Sequence, residues 1–526
     1  MSTRREFLLG SAAALAAYSM QLAKTRVGVV HSTHKGLVKP VSPEHPLDYE
    51  LVRDMVWKAV GYGKPAAGSL EAKIKPGSWV VLKPNYCYLG TQPGYRPGDL
   101  SDMRMVRAVL EYVARNSNAK RITIAEGGSY RTLKDTATGS IVMQNGERVD
   151  LTTYNWGPDD FPGLGGSYGA LIREFSEKFP GKTFDYVDLA YDVVKDASGN
   201  FLALPVPKLN GVGSFSRKTD YFVTNTITKC DFLISLPVLK VHENCGMTCC
   251  FKNYVGTGPR IAYGARNMTN NALHNEYSVD TRIDPFIADL AAFHPPDYNV
   301  VDVIRGLQTT EHNNRQPDQM IRTNMIMAGE NPVAVDALAA TLIGFKPGDI
   351  DYLHMAAARG LGSYDLNTIE VVGDEPDRYY RKWGKPRTWY ARSNREWRVT
   401  GDPTAEVRNW KRHTSFGDML NFAAAAGDAP AYAAAATVKS DGVRKGFLWL
   451  GLTGAGSVEL NGQKIMQEEG AARFRVGQFQ QAVELRPGDN QLVFRVQPSN
   501  GRASLAALLV GPENNGDSLD GVTWVA

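Results

Sequence analysis

The chain is poor in cysteine: Cys87, Cys230, Cys245, Cys249 and Cys250 are the only five in 526 residues. So few, and odd in number, they cannot be a disulfide scaffold. One or two bridges could still form in an oxidising compartment. Long apolar runs are also missing. No segment reaches the roughly 20 residues a spanning helix needs, so stable membrane insertion is not expected. Charge of one sign is not in excess, because 59 basic and 55 acidic residues leave +4. No basic run marks a nucleic-acid partner. Several common catalytic signatures are absent: HExxH, a Walker-type loop and a glycine-rich loop after a strand. The cysteine runs of ferredoxins are absent too. What remains is globular. With 43% hydrophobic and 22% charged residues, a sizeable core is expected, and the length suits two domains or three.

The first 23 residues have their own texture. Arg4 and Arg5 stand before Phe7-Leu8-Leu9, then an apolar, alanine-rich segment follows. Paired arginines, an apolar stretch and small residues for cleavage make a twin-arginine leader. Ala14-x-Ala16 and a site after Ala23 are both cleavage candidates. Leu9 stands where such leaders often carry lysine. The expectation is a bacterial protein, periplasmic or secreted, passed folded through the twin-arginine export machinery. Many clients of that route carry cofactors and others are plain hydrolases, so the cofactor is left open.

The central stretch is Asp231 to Gly256. Phe232 to Leu236 is an apolar strand stopped by Pro237. Lys240, His242, Glu243, three cysteines, Lys252 and Asn253 follow. Lys240 and His242 are two apart, so in extended chain they point the same way. Lys252 and Asn253 are expected on a short helix starting near Met247. A second apolar strand, from Trp79, ends in Lys83-Pro84-Asn85. Two strands ending in lysine and a nearby proline predict one crevice at strand ends, where open α/β sheets hold ligands. Ammonium and imidazole groups gathered there suit an anion.

Around this core the chain alternates. A helix is expected over Tyr49–Val60, and another over Met103–Arg115 with Asp102 as its cap. The strand Arg121–Ala125 should pair parallel with the Lys83 strand, which makes Glu126 either a crevice residue or a surface turn acid. Residues 132–169 read as an insertion or lid. Tyr298–Val303 is a strand with Asp302 near its end. Asn331-Pro332 opens a helix in which Asp336 has either a site role or a dipole role. Cys245, Cys249 and Cys250 are either metal ligands or small buried thiols.

VVLKPN (80–85), SLPVLKVH (235–242), MTCCFKNYVG (247–256) and NPVAVDALAATLIGF (331–345) occur in that order and resemble the domain-of-unknown-function 362 family. The resemblance runs from about Val27 to Gly373. It implies an α/β main domain over 24–375, mainly a parallel sheet flanked by helices, with a site at the Lys/His/Asn stretches. A glycine-rich loop usual in that family is replaced by Leu307–Gln319. At the level of fold, the nickel-pincer lactate racemases offer an analogy.

Residues 376–436, rich in Arg, Lys and Trp, read as a linker or wrapping arm. From Thr437 short alternating strands take over, with Asn461-Gly462 and Pro487-Gly488 as turn signals. A small antiparallel β-sandwich is expected over 437–526, similar to accessory modules of carbohydrate-active enzymes. Two functions follow. In the first, an enzyme binds a small anionic molecule through Lys83, Asn85, Asn253, Glu126, Asp302 and Asp336, with Lys240, His242 and Lys252 as catalytic groups. In the second, a non-catalytic protein captures a glycan or a metal.

Overall fold

The structure is a computed structural model that describes residues 24–86, 98, 100–126, 140–142, 148–150, 167–216, 218–263, 282–311, 318–415, 417–469 and 474–525. The leader, Cys87, most of the 132–169 insertion and part of the Leu307–Gln319 stretch lie outside the described residues.

Eight strands form the main sheet: β1 (Thr25–His31), β2 (Trp79–Pro84), β3 (Arg121–Ala125), β4 (Thr183–Val187), β5 (Phe232–Leu236), β6 (Tyr298–Leu307), β7 (Met320–Gly329) and β8 (Ile369–Gly373). Their spatial order is β8-β1-β7-β6-β5-β2-β3-β4. All neighbours pair parallel except β7, which runs against both β1 and β6. The central strands are apolar on both sides because helices cover both faces, as parallel sheets require. Helices α1 (Tyr49–Tyr62), α2 (Met103–Asn116) and α3 (Tyr168–Lys178) share one buried cluster with Val80, Leu82 and Ile234. Helices α4 (Asp284–Phe293), α5 (Pro332–Leu342) and α6 (Asp351–Ala358) share another with Val81, Leu233 and Val301. Alternation along each strand thus sorts side chains between two cores.

Helix starts follow capping chemistry. Asp48 accepts from the Leu51 N–H, Asp102 from the Arg104 N–H, and Asn331 from the Ala334 N–H, each satisfying a backbone donor left open by the first turn. Helix α1 lies hard against the sheet. A Cβ on Gly28 would stand 2.1 Å from the Ala59 carbonyl oxygen, and one on Gly63 would stand 2.1 Å from that of Ala328.

Three expectations need correction. Strand β7 was not foreseen, and it makes the sheet mixed. Pairing with β7 carries β6 on to Leu307, so Asp302 sits mid-strand. The helix near Met247 is instead a hairpin, Lys240–His242 against Gly246–Thr248, followed by a 3-10 turn over Lys252–Thr257. Gly246 turns that hairpin at φ +84°, a left-handed conformation that glycine takes without steric cost.

The C-terminal region forms two antiparallel sheets. Its strands are β9 (Glu396–Thr400), β10 (Lys411–Thr414), β11 (Leu420–Asn421), β12 (Tyr432–Ser440), β13 (Arg444–Thr453), β14 (Ala455–Leu460), β15 (Gln463–Glu468), β16 (Phe479–Leu485), β17 (Gly488–Gln497), β18 (Ser504–Val510) and β19 (Val522–Val525). One sheet runs β10-β9-β12-β17-β14-β15 with β19 also on β12; the other runs β11-β18-β13-β16. Leu448, Leu450, Leu460, Leu492 and Phe494 lie in one cluster shared by both sheets, whereas Val493 faces a separate group with Trp410. Asn461 and Gly462 form the β14–β15 turn with φ +53° and +82°, the left-handed pair of a type I′ hairpin. The expected start at 437 falls inside β12. Strand β9 already pairs with β12, Arg398 opposite Ala435. The charged side chains of 396–414 are largely the outer face of a sheet edge, and Trp397 is its inner face. Trp383 and Trp389, by contrast, pack into the main-domain core.

A buried ionic network ties the two regions. Arg395 pairs with Asp351 of α6 and, at 2.9 Å, with Asp418, while Arg282 pairs with Asp284 at 3.1 Å and stands 4.0 Å from Asp418. Removing one charge from a buried set leaves another uncompensated, at a cost of about 3–5 kcal/mol. Asp418→Ala should therefore lose stability on that scale in urea denaturation, and adding Arg395→Met should restore part of it. A loss under about 1 kcal/mol for the single variant, the range of an exposed pair, would show that the network is not integral.

Candidate functional site

Chain direction reverses between β5 and β2. From β2 the chain passes through α2 to β3, away from β5; from β5 it passes through α4 to β6, away from β2. The two crossovers lie on opposite faces. This is a topological switch point, where the carboxyl ends of parallel strands leave a crevice. Lys83 is opposite Ser235 in the β2–β5 register. Both follow the parity of Val81 and Leu233, so both face the α4 side.

Lys83 is 1% exposed. Its ammonium group bonds the Glu126 carboxylate at the end of β3 and donates to Asn253 Oδ1 at 3.0 Å. Asn253 Nδ2 donates to the Lys83 carbonyl at 2.8 Å and to Ser235 Oγ at 3.0 Å. Asn85 Nδ2 reaches Asn253 Oδ1 at 3.5 Å. Gly256 closes the turn above them: a Cβ there would stand 2.8 Å from Lys83 Nζ and 3.0 Å from Glu126 Oε1. Four sequence candidates therefore meet at the ends of three adjacent strands. Ser235, overlooked in the sequence, is the polar interruption of the apolar run of β5.

Lys240 and His242 converge on Glu311, which the sequence reading also missed. Lys240 Nζ donates to the Glu311 carbonyl at 3.3 Å, and His242 Nε2 lies 3.4 Å from Glu311 Oε1. Glu311 Oε2 accepts the Glu243 N–H at 3.0 Å, and His242 Nδ1 accepts the Asn244 N–H at 3.1 Å. The acceptor role of Nδ1 places a neutral ring's proton on Nε2, toward the carboxylate. Glu311 lies in the stretch that replaces the glycine-rich loop. Cys245, in the same hairpin, lies within the fields of both Lys252 and Glu311, so the hairpin and the Lys252–Asn253 turn are electrostatic neighbours.

Asp336 props this face from behind. Its two oxygens accept the Cys250 N–H at 2.8 Å and the Phe251 N–H at 3.3 Å, which fixes the chain just before Lys252. Burial raises its carboxyl to about 6. Burial pushes the Cys249 thiol up to about 12, and those of Cys245 and Cys250 up as well. Cys249, Cys250 and Asp336 are three potential donors within 4.8 Å of one another, and His242 is not part of that group.

Asp302 does not join the crevice. Its neighbours Val301 and Val303 face α4, so the period of two turns Asp302 to the α2 face. There it accepts the Asp102 N–H at 2.7 Å and the Ile304 N–H at 2.8 Å, beside Arg104 and Arg305.

These elements find a counterpart among known families. Residues 190–341 match the family model of the domain of unknown function DUF362. That span holds Lys240, His242, Lys252, Asn253, Asp302 and Asp336, whereas Lys83 and Glu126 precede it. No curated protein matches the chain. Among solved structures, it is similar to the lactate racemase apoprotein from Thermoanaerobacterium thermosaccharolyticum, with 12% identity over 53% of this chain and 52% of that one and a TM-score of 0.26. It is also similar to a β-glucosidase from Kluyveromyces marxianus in complex with glucose, with 10% identity over 22% and 15% of the two chains and a TM-score of 0.17. An anti-sigma factor domain-containing protein from Clostridium clariflavum gives 8% identity over 28% and 52%, with a TM-score of 0.18. The chain thus spans about half the length of the first and third of these proteins and 15% of the glucosidase. Among the described residues, no helix is long and apolar enough to cross a membrane.

Burial, with the charge of Asp102 beside it, raises the Asp302 carboxyl from 3.8 to about 7. Between those values the folded chain holds a proton that the unfolded chain has released, so stability falls as pH rises. Asp302→Asn removes that contribution. Its unfolding free energy, measured in urea from about pH 4 to pH 7, should fall less steeply with pH than that of the wild type. Identical slopes would contradict the raised carboxyl.

Proposed function

We propose that this protein is an exported enzyme that binds a small anionic substrate or cofactor where β2, β3 and β5 end, and that it works by acid–base chemistry. The observation that carries this reading is the buried Lys83–Glu126 pair, bonded to Asn253 at the switch point. A structural ion pair in that place is costly to desolvate, and an ammonium–carboxylate pair in a crevice is a suitable proton-transfer unit. As it stands the pair is neutral. An incoming anion takes Glu126's place on Lys83, and the added charge is best offset when Glu126 takes up a proton. Glu126 is then the acid. Asn85 and Asn253 orient the ligand by hydrogen bonds. Lys252 adds positive charge from the next residue along. Lys240 supports the hairpin through Glu311, and His242 serves as a second acid or base once its contact with Glu311 opens. Asp336 is a positioning residue. Isomerisation and hydrolysis both fit this set of groups. Export rests on Arg4 and Arg5 ahead of the apolar segment. The two C-terminal sheets, which share one core, are read as a β-sandwich appended to the enzyme.

Replacing a buried ion pair by apolar groups of similar size leaves a fold close to its original stability. Lys83→Met with Glu126→Leu is therefore the informative variant. Thermal unfolding is measured against a panel of small carboxylates and phosphate esters, since a ligand that binds only the folded state raises the transition. At least one anion should stabilise the wild type, and none should stabilise the paired variant. Equal shifts in both proteins, or no shift with any anion, would overturn the site.

A further inference from the structure

Where the C-terminal sheets meet the main domain, a cleft of about 740 Å³ lies between the Glu243–Gly246 turn and the 474–480 segment. Its volume falls within the range of small-molecule sites, and its chemistry differs from that of the closed Lys83 cluster. Trp389, Tyr390, Trp449 and Phe474 supply aromatic surface. Arg387 and Arg475 bring two guanidinium groups, against the one carboxylate of Glu243, while Arg282 is committed to Asp284. Asn244, Gln478 and Gln480 add amides.

Each side presents a fixed indole. On the main-domain side, Trp389 is buried and donates from Nε1 to Asp517 Oδ1 at 2.8 Å. Its ring lies against Gly246, where a Cβ would come within 2.5 Å. On β13, half-buried Trp449 donates from Nε1 to Asn514 Oδ1 at 2.6 Å. Its ring lies against Gly477, at φ +74°, where a Cβ would also come within 2.5 Å. Trp449 lines the cleft with Tyr390, and packs with Phe447 against Leu508 and Val510, away from the shared core of the two sheets. Trp524 does pack against that core. Arg387 and Arg475 are exposed, and no carboxylate of the described residues pairs with either.

We propose that this cleft binds an acidic oligosaccharide, independently of the Lys83 site. The half-buried Trp449 ring can accept the apolar face of a sugar while its N–H group is already satisfied, and buried Trp389 stiffens the opposite wall. The guanidinium fork matches a carboxylate in two parallel hydrogen bonds. Amides can both donate to and accept from ring hydroxyls. Cations in excess over carboxylates select an anionic sugar over a neutral one.

The test uses the full chain and isothermal titration with oligogalacturonate, oligomannuronate and hyaluronan fragments, and with cellotriose as a neutral control. At least one acidic fragment should bind. Arg387→Gln with Arg475→Gln, two changes on exposed side chains, should weaken that binding by at least about tenfold, the equivalent of one charge-assisted hydrogen bond. Cellotriose should bind more weakly by a similar factor. The variant Lys83→Met with Glu126→Leu should bind like the wild type, which separates this cleft from the switch-point site. Absence of binding by every acidic fragment, undiminished binding by the arginine variant, or equal affinity for cellotriose would each overturn the proposal.

Discussion

Lys83 carries its charge into a place that water does not reach, and a buried ammonium persists only if partners replace the lost hydration. Glu126 supplies the opposite charge, and Asn253 supplies a carbonyl. Each comes from a different part of the chain: Lys83 from the end of β2, Glu126 from the end of β3, and Asn253 from the turn after the hairpin beyond β5. The pair therefore demands that these strands lie side by side and end at the same level. It also demands that the Lys252–Thr257 turn fold back over them, and Gly256 permits that approach. Asp336 meets the same demand one layer out, holding the Cys250 and Phe251 N–H groups so that Asn253 is delivered to Lys83.

Much of this was legible in the sequence, for physical reasons that differ by residue. Apolar runs stopped by Lys-Pro and by Pro237 gave the strands and their ends. Asp102 gave the cap of α2, and Asn461-Gly462 gave a hairpin. Strand β7 was hidden because Arg322, Thr323 and Asn324 interrupt its apolar run, and Asn324 adopts φ +52°, which breaks the alternation a strand is read by. Missing β7 shortened β6, and that placed Asp302 at a strand end instead of mid-strand. Glu311 could not be paired with His242 by any local pattern, because 69 residues separate them. The helix expected at Met247 lost to tertiary pairing: Lys240, Val241 and His242 offer a free strand edge that Gly246 to Thr248 satisfy.

The C-terminal sheets are joined to the main domain by ionic and aromatic contacts. Arg395, Asp351 and Asp418 are buried together, and Arg282 stands over the Tyr390 ring at 4.9 Å. Such a junction holds two regions in register, which is what a cleft lined from both sides needs. It also explains why the arginine-rich stretch after Gly373 looks like a linker by composition. Its charges serve partly as sheet exterior and partly as the glue between two cores.

The central claim is that an anion displaces Glu126 from Lys83 at the switch point. The most direct measurement is a crystal structure of the full chain with whichever carboxylate or phosphate ester stabilises it most. The account predicts ligand density within hydrogen-bonding distance of Lys83 Nζ and Asn253, with the Glu126 carboxylate turned away. An unbroken Lys83–Glu126 pair, with the anion bound elsewhere, would contradict it.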